Sequence, residues 1–250
     1  MRDSDTGLIE LADIPRAIGF LTRLPLRVDG DAAVARGAGC VWAYPIAGLV
    51  VGTVVAAILW ALMAVGVPAA LTAGGAVAAG LFVTGALHED GMADTVDGLW
   101  GGWTRERRLE IMKDSRIGAY GVLALVVTVG LRWQGFAAID ALWAVVAVAA
   151  ASRAAMVPLM RMDNARGSGV SASVGRPSLG AVWLALSLGA LPLLALGGAG
   201  IAALVAIAAA AAAMAMLARA KIGGQTGDIL GATQQISEIA ALVVLVALGV

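Results

Sequence analysis

Apolar residues in this chain run in long unbroken stretches instead of alternating or recurring on one helical face. Between Arg36 and His88 lie 51 residues without a formal charge, and between Arg176 and Arg219 another 42. A helix crossing the hydrocarbon core of a bilayer needs about 20 apolar residues. Each stretch is therefore long enough for a helical hairpin, with turn signals at Gly66-Val67-Pro68 in the first and Gly197-Gly198-Ala199-Gly200 in the second. Further apolar runs cover 117–135, 137–160 and 229–249. The pattern predicts about seven transmembrane helices in an all-α, polytopic membrane helical bundle forming a single membrane domain over 1–250, with an N-terminal segment at 1–36 and the bundle at 37–250. In the N-terminal segment Leu11, Ile14, Ile18 and Leu21 recur at helical spacing while Arg16 and Arg23 fall off the stripe. That is an amphipathic helix, lying either at the membrane interface or against the bundle itself. Gly48 and Gly52 form a small-xxx-small pair that lets two helices approach closely.

Composition narrows the functional classes. Hydrophobic residues make up 60% of the chain and the mean hydropathy is +0.90, outside the range of water-soluble domains. Seventeen basic residues balance 17 acidic ones, leaving no surplus to coat a nucleic-acid backbone. One Cys, Cys40, and one His exclude an internal disulfide and a Cys/His metal centre, so a metal would use oxygen ligands. Of the 17 Lys and Arg, 16 fall on one face of the seven-span topology and only Arg132 on the other. Basic residues near helix ends mark the cytoplasmic side, which predicts cytoplasmic long loops. Eleven charges within positions 1–36 argue against a cleavable signal peptide.

The charges that remain are concentrated. His88-Glu89-Asp90-Gly91-Met92-Ala93-Asp94-Thr95-Val96-Asp97-Gly98 carries four carboxylates in nine residues. On a helix, Asp90, Asp94 and Asp97 at i, i+4, i+7 point within roughly 60° of one another. Like charges at a low-dielectric boundary call for a cation, and oxygen-only ligands favour Mg²⁺. The plain alternative is a solvated acidic helix end. Downstream, Arg105, Arg107 and Arg108 read as topological or structural charges, whereas the Lys113-Asp114-Ser115-Arg116 run beside Gly118 suits phosphate oxygens. In Gly223-Gly224-Gln225-Thr226-Gly227-Asp228 three glycines let a backbone approach a ligand closely, and Asp228 can cap the helix that follows; the plain alternative is an ordinary loop. Glu238 stands alone in the last apolar run, and an intramembrane carboxylate is a functional candidate or a hydrogen-bonded buried acid. Arg153 is the isolated cation of the fourth span, available to Glu238, another carboxylate or a phosphate. The loop from Arg161 to Arg176 is either a substrate flap or a solvated linker.

Five blocks together, FLTRLP at 20–25, YPIAGLVVG at 44–52, ALHEDGMADTVDGLWGG at 86–102, RRLEIMKDSRIGAYG at 107–121 and GGQTGDILGA at 223–232, resemble the cobalamin synthase family. Its members are also called adenosylcobinamide-GDP ribazoletransferases. The resemblance covers nearly the whole chain. It implies Mg²⁺-dependent transfer of the adenosylcobinamide phosphate to α-ribazole or its 5′-phosphate with release of GMP, at the bacterial cytoplasmic (inner) membrane. It further implies Asp90, Asp94 and Asp97, joined by Glu89, as metal ligands, and Asp94, Lys113 and Arg116 as catalytic groups. His88 is a candidate base ranked behind a carboxylate, because it lies on the opposite helical side from the aspartates. Arg153, Asp114, Gly224, Thr226, Asp228 and Glu238 are the implied substrate-binding residues. The partners implied are the two nucleotide-loop substrates and the lipid bilayer, with no nucleic acid, and a homo-oligomer is compatible with all of this. Gln235 stands where some members carry a second carboxylate. Two rival readings are another membrane Mg²⁺-dependent phosphotransferase of the CDP-alcohol type, whose acid spacing differs, and a cation or proton transporter working through Glu238.

Overall fold

The computed structural model describes residues 7–250. Arg2 and the rest of 1–6, counted above in the N-terminal segment, lie outside the described residues. Helix α1 (Asp13–Leu21) and α2 (Gly30–Arg36) lead through a 3-10 turn (Gly37–Ala43) into α3 (Tyr44–Ala64). The chain returns along α4 (Ala69–Thr84) and bends by 90° into α5 (Leu87–Gly101). After α6 (Arg105–Ile111) come α7 (Ala119–Ala138), α8 (Leu142–Ala154), α9 (Met156–Leu159) and α10 (Val170–Val174). The last three helices are α11 (Leu179–Leu194), α12 (Gly197–Ile222) and α13 (Gly227–Ala247). Among the described residues there is no strand, only an isolated bridge between Asn164 and Gln225.

Among the described residues five helices are long and apolar enough to cross a membrane: Gly30–Ala64, α7, α8 continued to Leu159, α12 and α13. Helices α4 and α5 meet that test only as a bent pair. The seven predicted helices all form, but α4 and α11 have 16 residues each. At 1.5 Å per residue that is about 24 Å, short of a hydrocarbon core of about 30 Å. The polytopic bundle of about seven helices is thus present, with five of them full-length spans among the described residues and α4–α5 a bent sixth. The first hairpin turns where expected, and Gly66 adopts a positive φ of 79° there. In the second hairpin the turn falls at Ala195–Leu196, and Gly198 to Gly200 already belong to α12.

Helix α8 is the axis of the bundle, with every residue from Ala144 to Ala154 buried. Helices α7 and α12 are mostly exposed along their spans, the surface left to lipid. The Gly48–Gly52 pair explains how α3 reaches α8: a Cβ on Gly48 would stand 2.6 Å from Ala150 Cα, and one on Gly52 2.7 Å from Val146 Cα. Helix α1 packs on the bundle, the second of the two placements its stripe allowed. Ala17 and Leu21 are buried and Ile14 and Ile18 rest against the core, while Leu11 precedes the helix and is 83% exposed.

Nothing in the apolar stripe of α1 marks Asp13 as the anchor of this helix. It is fully buried and accepts hydrogen bonds from Trp42 Nε1 at 2.8 Å, Arg36 Nε at 2.9 Å, Arg36 Nη2 at 2.8 Å and the Glu10 N–H at 3.1 Å. Burial raises its carboxyl, but the bonds from Arg36, Trp42 and Glu10 outweigh burial and hold it below its ordinary value.

Candidate active site

Helix α5 places its four carboxylates in two environments. Asp97 turns to α7, where its oxygens accept the N–H of Gly118 at 2.7 Å and of Gly121 at 2.8 Å. It caps the first turn of α7, an end that carries unpaired donors and attracts a negative charge. Glu89 also turns to α7 and meets Arg132 Nη1 at 2.5 Å. Asp90 and Asp94 carry no hydrogen-bond or ion-pair partner among the described residues. The expected convergence of Asp90, Asp94, Asp97 and Glu89 is therefore corrected: helix capping takes Asp97 and a buried ion pair takes Glu89.

Asp228, in the first turn of α13, completes the set. Its charge and that of Asp90 act on Asp94, and Arg166 offsets them. Arg166 Nη2 binds Asp228 Oδ2 at 2.6 Å. Thr226 is the cap of α13, its Oγ1 accepting the Ile229 N–H at 3.3 Å. Asp228, a candidate both for that cap and for substrate binding, leaves the cap to Thr226 and faces a cavity of about 300 Å³ with Asp90, Arg166 and Thr226 at its polar rim. The loop after α9 supplies Arg166, so part of the Arg161–Arg176 segment is wall and not solvated linker. Its placement follows from backbone pairing: the Gln225 N–H donates to Asp163 O and the Ala165 N–H to Gln225 O. Gly224 serves that pairing, since a Cβ there would strike the Asp163 carbonyl. It packs backbone on backbone and does not line the cavity.

Other expected site residues lie elsewhere. Lys113 is exposed and Arg116 is 87% exposed, paired with Asp114 at 2.7 Å, and none of the three lines the cavity. That local pair holds the Asp114 carboxyl down to about 2. Asp97 fixes the Lys113–Gly118 loop to the far end of α5, away from Asp90. Arg105 and Arg108 are structural as expected, bonding the Ile222 and Lys221 carbonyls at the end of α12.

Glu238 and Arg153 are buried inside the bundle and do not border the cavity. Arg132 Nε binds Glu238 at 3.0 Å, so one guanidinium bridges Glu89 and Glu238. Gln235 joins in by donating to Glu89 at 3.1 Å. Arg132 is thus corrected from a charge on the far membrane face to the centre of a buried network. A lone cation within an apolar span was the available signal, and the loop-charge count obscured it. Arg153 donates to the Ala149 carbonyl at 3.0 Å. His88 sits between this network and the cavity, 2% exposed, with its Nε2 sealed and unpartnered.

Among the described residues no group of three His, Cys, Asp or Glu forms a ready cage for an ion. Magnesium does not require one, because it is commonly held by one or two carboxylates with waters and substrate phosphates. Asp90 and Asp94, one helical turn apart and unpartnered, fit that donor set.

Fold and site together define a polytopic membrane protein with an acidic, arginine-flanked cavity at the meeting of α5 and α13. Residues 13–246 match the cobalamin-5-phosphate synthase family, and the chain belongs to that family. It is 46% identical over 241 residues to the adenosylcobinamide-GDP ribazoletransferase of Bradyrhizobium diazoefficiens, covering 94% of this chain and 93% of that protein. The protein of the same name from Brucella canis is 42% identical over 262 residues, covering 96% and 97%. One from Sinorhizobium sp. is 46% identical over 251 residues, covering 92% and 94%. No solved structure matches the chain.

Proposed function

We propose that this chain, as a transferase of cobalamin synthesis, joins adenosylcobinamide-GDP to α-ribazole or its 5′-phosphate and releases GMP, at the cytoplasmic face of a bacterial inner membrane. The observation that carries the reading is an unpartnered Asp90 lining one cavity with Asp228 and Arg166, with the unpartnered Asp94 one helical turn further along α5 and within reach of their charges. Family membership over 13–246 supports it.

In this scheme the ribazole 3′-oxygen bonds to the phosphorus on the cobinamide side of the diphosphate. The bridging P–O bond breaks, and GMP leaves with the electron pair. Asp90 and Asp94 would hold Mg²⁺, which supplies charge neutralisation to diphosphate oxygens when bound. Asp94 takes the hydroxyl proton, since it faces the other acids and carries no hydrogen bond that would have to break. His88 is set aside as base because its Nε2 has no open surface. Arg166 presents a planar fork to phosphate oxygens, exchanging its bond to Asp228 for one to substrate. Apolar walls behind the rim keep water from competing with the ribazole hydroxyl.

Purified protein with adenosylcobinamide-GDP, α-ribazole and Mg²⁺ should release GMP, and Asp94→Asn should stop release while the protein still purifies as a folded species. Absence of GMP above a no-enzyme control overturns the reading.

A further inference from the structure

The cavity behind the acidic rim has a chemistry of its own. Its inner wall is built from Leu21, Tyr44, Met156, Met160 and Leu230, each less than a tenth exposed. Phe20, half-exposed at the edge, stacks on Tyr44 with ring centroids 6.1 Å apart and planes 20° from parallel. Flat aromatic faces and methionine sulfurs are suited to a planar ring system. At about 300 Å³ the space is at the lower bound of small-molecule sites. A bicyclic base and its sugar fill such a space, whereas a corrin macrocycle with its amide arms is far larger and must stay outside the rim.

One polar group interrupts this wall. Tyr44 is 2% exposed, and its hydroxyl has no hydrogen-bond partner among the described residues. Unlike His88 Nε2, that hydroxyl is not sealed off. A buried phenol ordinarily finds a partner, so an unsatisfied one bordering a cavity points to a ligand acceptor. Ribazole carries one such acceptor. Its base is a dimethylated benzimidazole, apolar over most of its surface, with a single unsubstituted ring nitrogen.

We propose that this cavity holds the base of the acceptor nucleoside, with the Tyr44 hydroxyl donating to the base's unsubstituted ring nitrogen. This assignment rests on the transfer reaction proposed above. It makes Tyr44 a specificity-determining residue and fixes the nucleoside's direction: base inward, ribose hydroxyls at the rim beside Asp90, Asp228 and Arg166. A site built to hydrogen-bond a substrate discriminates strongly against an analogue lacking the partner atom.

The test is equilibrium binding by calorimetry on the full-length protein in detergent micelles, with two probes. One is α-ribazole. The other is its dimethylindole analogue, identical except for a C–H in place of the ring nitrogen. Wild type should bind α-ribazole about tenfold more tightly than the analogue, the worth of one buried hydrogen bond. Tyr44→Phe should bind both at the weaker level. In turnover the loss should fall on KM for α-ribazole, raised about tenfold, and not on kcat or on KM for the corrinoid donor. Equal binding of both probes by wild type, a Tyr44→Phe protein that still discriminates, or a loss confined to the donor's KM would each overturn the assignment. The wild-type comparison decides the matter if Tyr44→Phe fails to fold. Because binding needs no turnover, the two readings fail separately. GMP release without discrimination removes the pocket assignment alone, and discrimination without GMP release removes the transfer reaction alone.

Discussion

Glu89 on α5 and Arg132 on α7 meet at 2.5 Å inside the bundle, and the direction of Asp90 follows from that bond. The adjacent residue on a helix is turned by about 100°, so locking Glu89 toward α7 sends Asp90 toward the cavity. The same guanidinium holds Glu238 on α13 at 3.0 Å, tying α5 and α13, which meet at the site, to α7. Removing Arg132 leaves two buried carboxylates without the cation bound to them, and breaking a buried pair from one side costs about 3–5 kcal/mol. Arg132→Ala should therefore lower thermal stability in detergent sharply. Adding Glu89→Gln and Glu238→Gln to that variant should recover part of the loss, because the orphaned charges are then gone. An Arg132→Ala protein as stable as wild type would show that the network is not holding the helices.

Asp97 and Asp94 sit one turn apart on α5 and should fail in opposite ways. Asp97 caps α7 through two backbone N–H groups, and losing such a cap costs about 0.5–2 kcal/mol. Asp97→Ala should shift the unfolding midpoint downward and leave the Mg²⁺ concentration needed for half-maximal activity close to wild type. Asp94→Asn, which removes no hydrogen bond, should keep the midpoint and lose GMP release. Unfolding curves and Mg²⁺ titrations on the same preparations check both, and the reverse pattern would return Asp97 to the metal site.

How much of this was legible in the chain depends on the range of the interaction. The hairpins, the first turn and a close helix approach at Gly48 and Gly52 were readable because they follow from local patterns of charge, glycine and apolar length, whereas the second turn falls just before its glycines and α8 as the partner of α3 is a tertiary fact. The acidic segment was readable as a site, but not the split within it. Helical angle puts Asp97 on the face of Asp90 and Asp94, and only tertiary placement brings the start of α7 beneath Asp97 and leaves Asp90 open. Arg166 pairs with Asp228 across 62 positions, a contact that no local pattern encodes. Lys113 and Arg116 have the residue types that suit phosphate, yet Asp97 holds their loop where neither side chain borders the cavity of Asp90 and Asp228.

The Asp13 anchor predicts an acid-sensitive N-terminal segment. Its carboxyl titrates below the ordinary value of 3.8 in the folded protein, so the unfolded chain binds the proton more readily. The associated stability is fully present above that ordinary value and is lost as pH falls through the lower, folded one. Protection factors of the α1 amides, which remove the pH dependence of intrinsic exchange, should be high at pH 7 and fall below about pH 4, the region where carboxyl groups take up protons. In Asp13→Asn the loss of protection should already be present at pH 7. Protection in the variant that matches wild type at both pH values would rule out Asp13 as the anchor.

Gly48 tests how α3 is seated on α8. A methyl group there has no free space, because Ala150 Cα would lie 2.6 Å away and the partner surface is backbone, which cannot rotate aside as a side chain would. Overpacking of a well-filled interface costs about 1–3 kcal/mol. Gly48→Ala should therefore destabilise the protein by that order. The same substitution at Gly130, which has nothing within 4 Å of its Cβ position, should be neutral or slightly stabilising, since Ala is the better helix former. Because α3 begins at Tyr44, displacing Gly48 from α8 also displaces the wall of the cavity. Gly48→Ala should weaken α-ribazole binding beyond its effect on folding, measured at a temperature where both proteins are fully folded. A destabilised Gly48→Ala protein that binds as wild type would show that the seat of α3 and the shape of the cavity are independent.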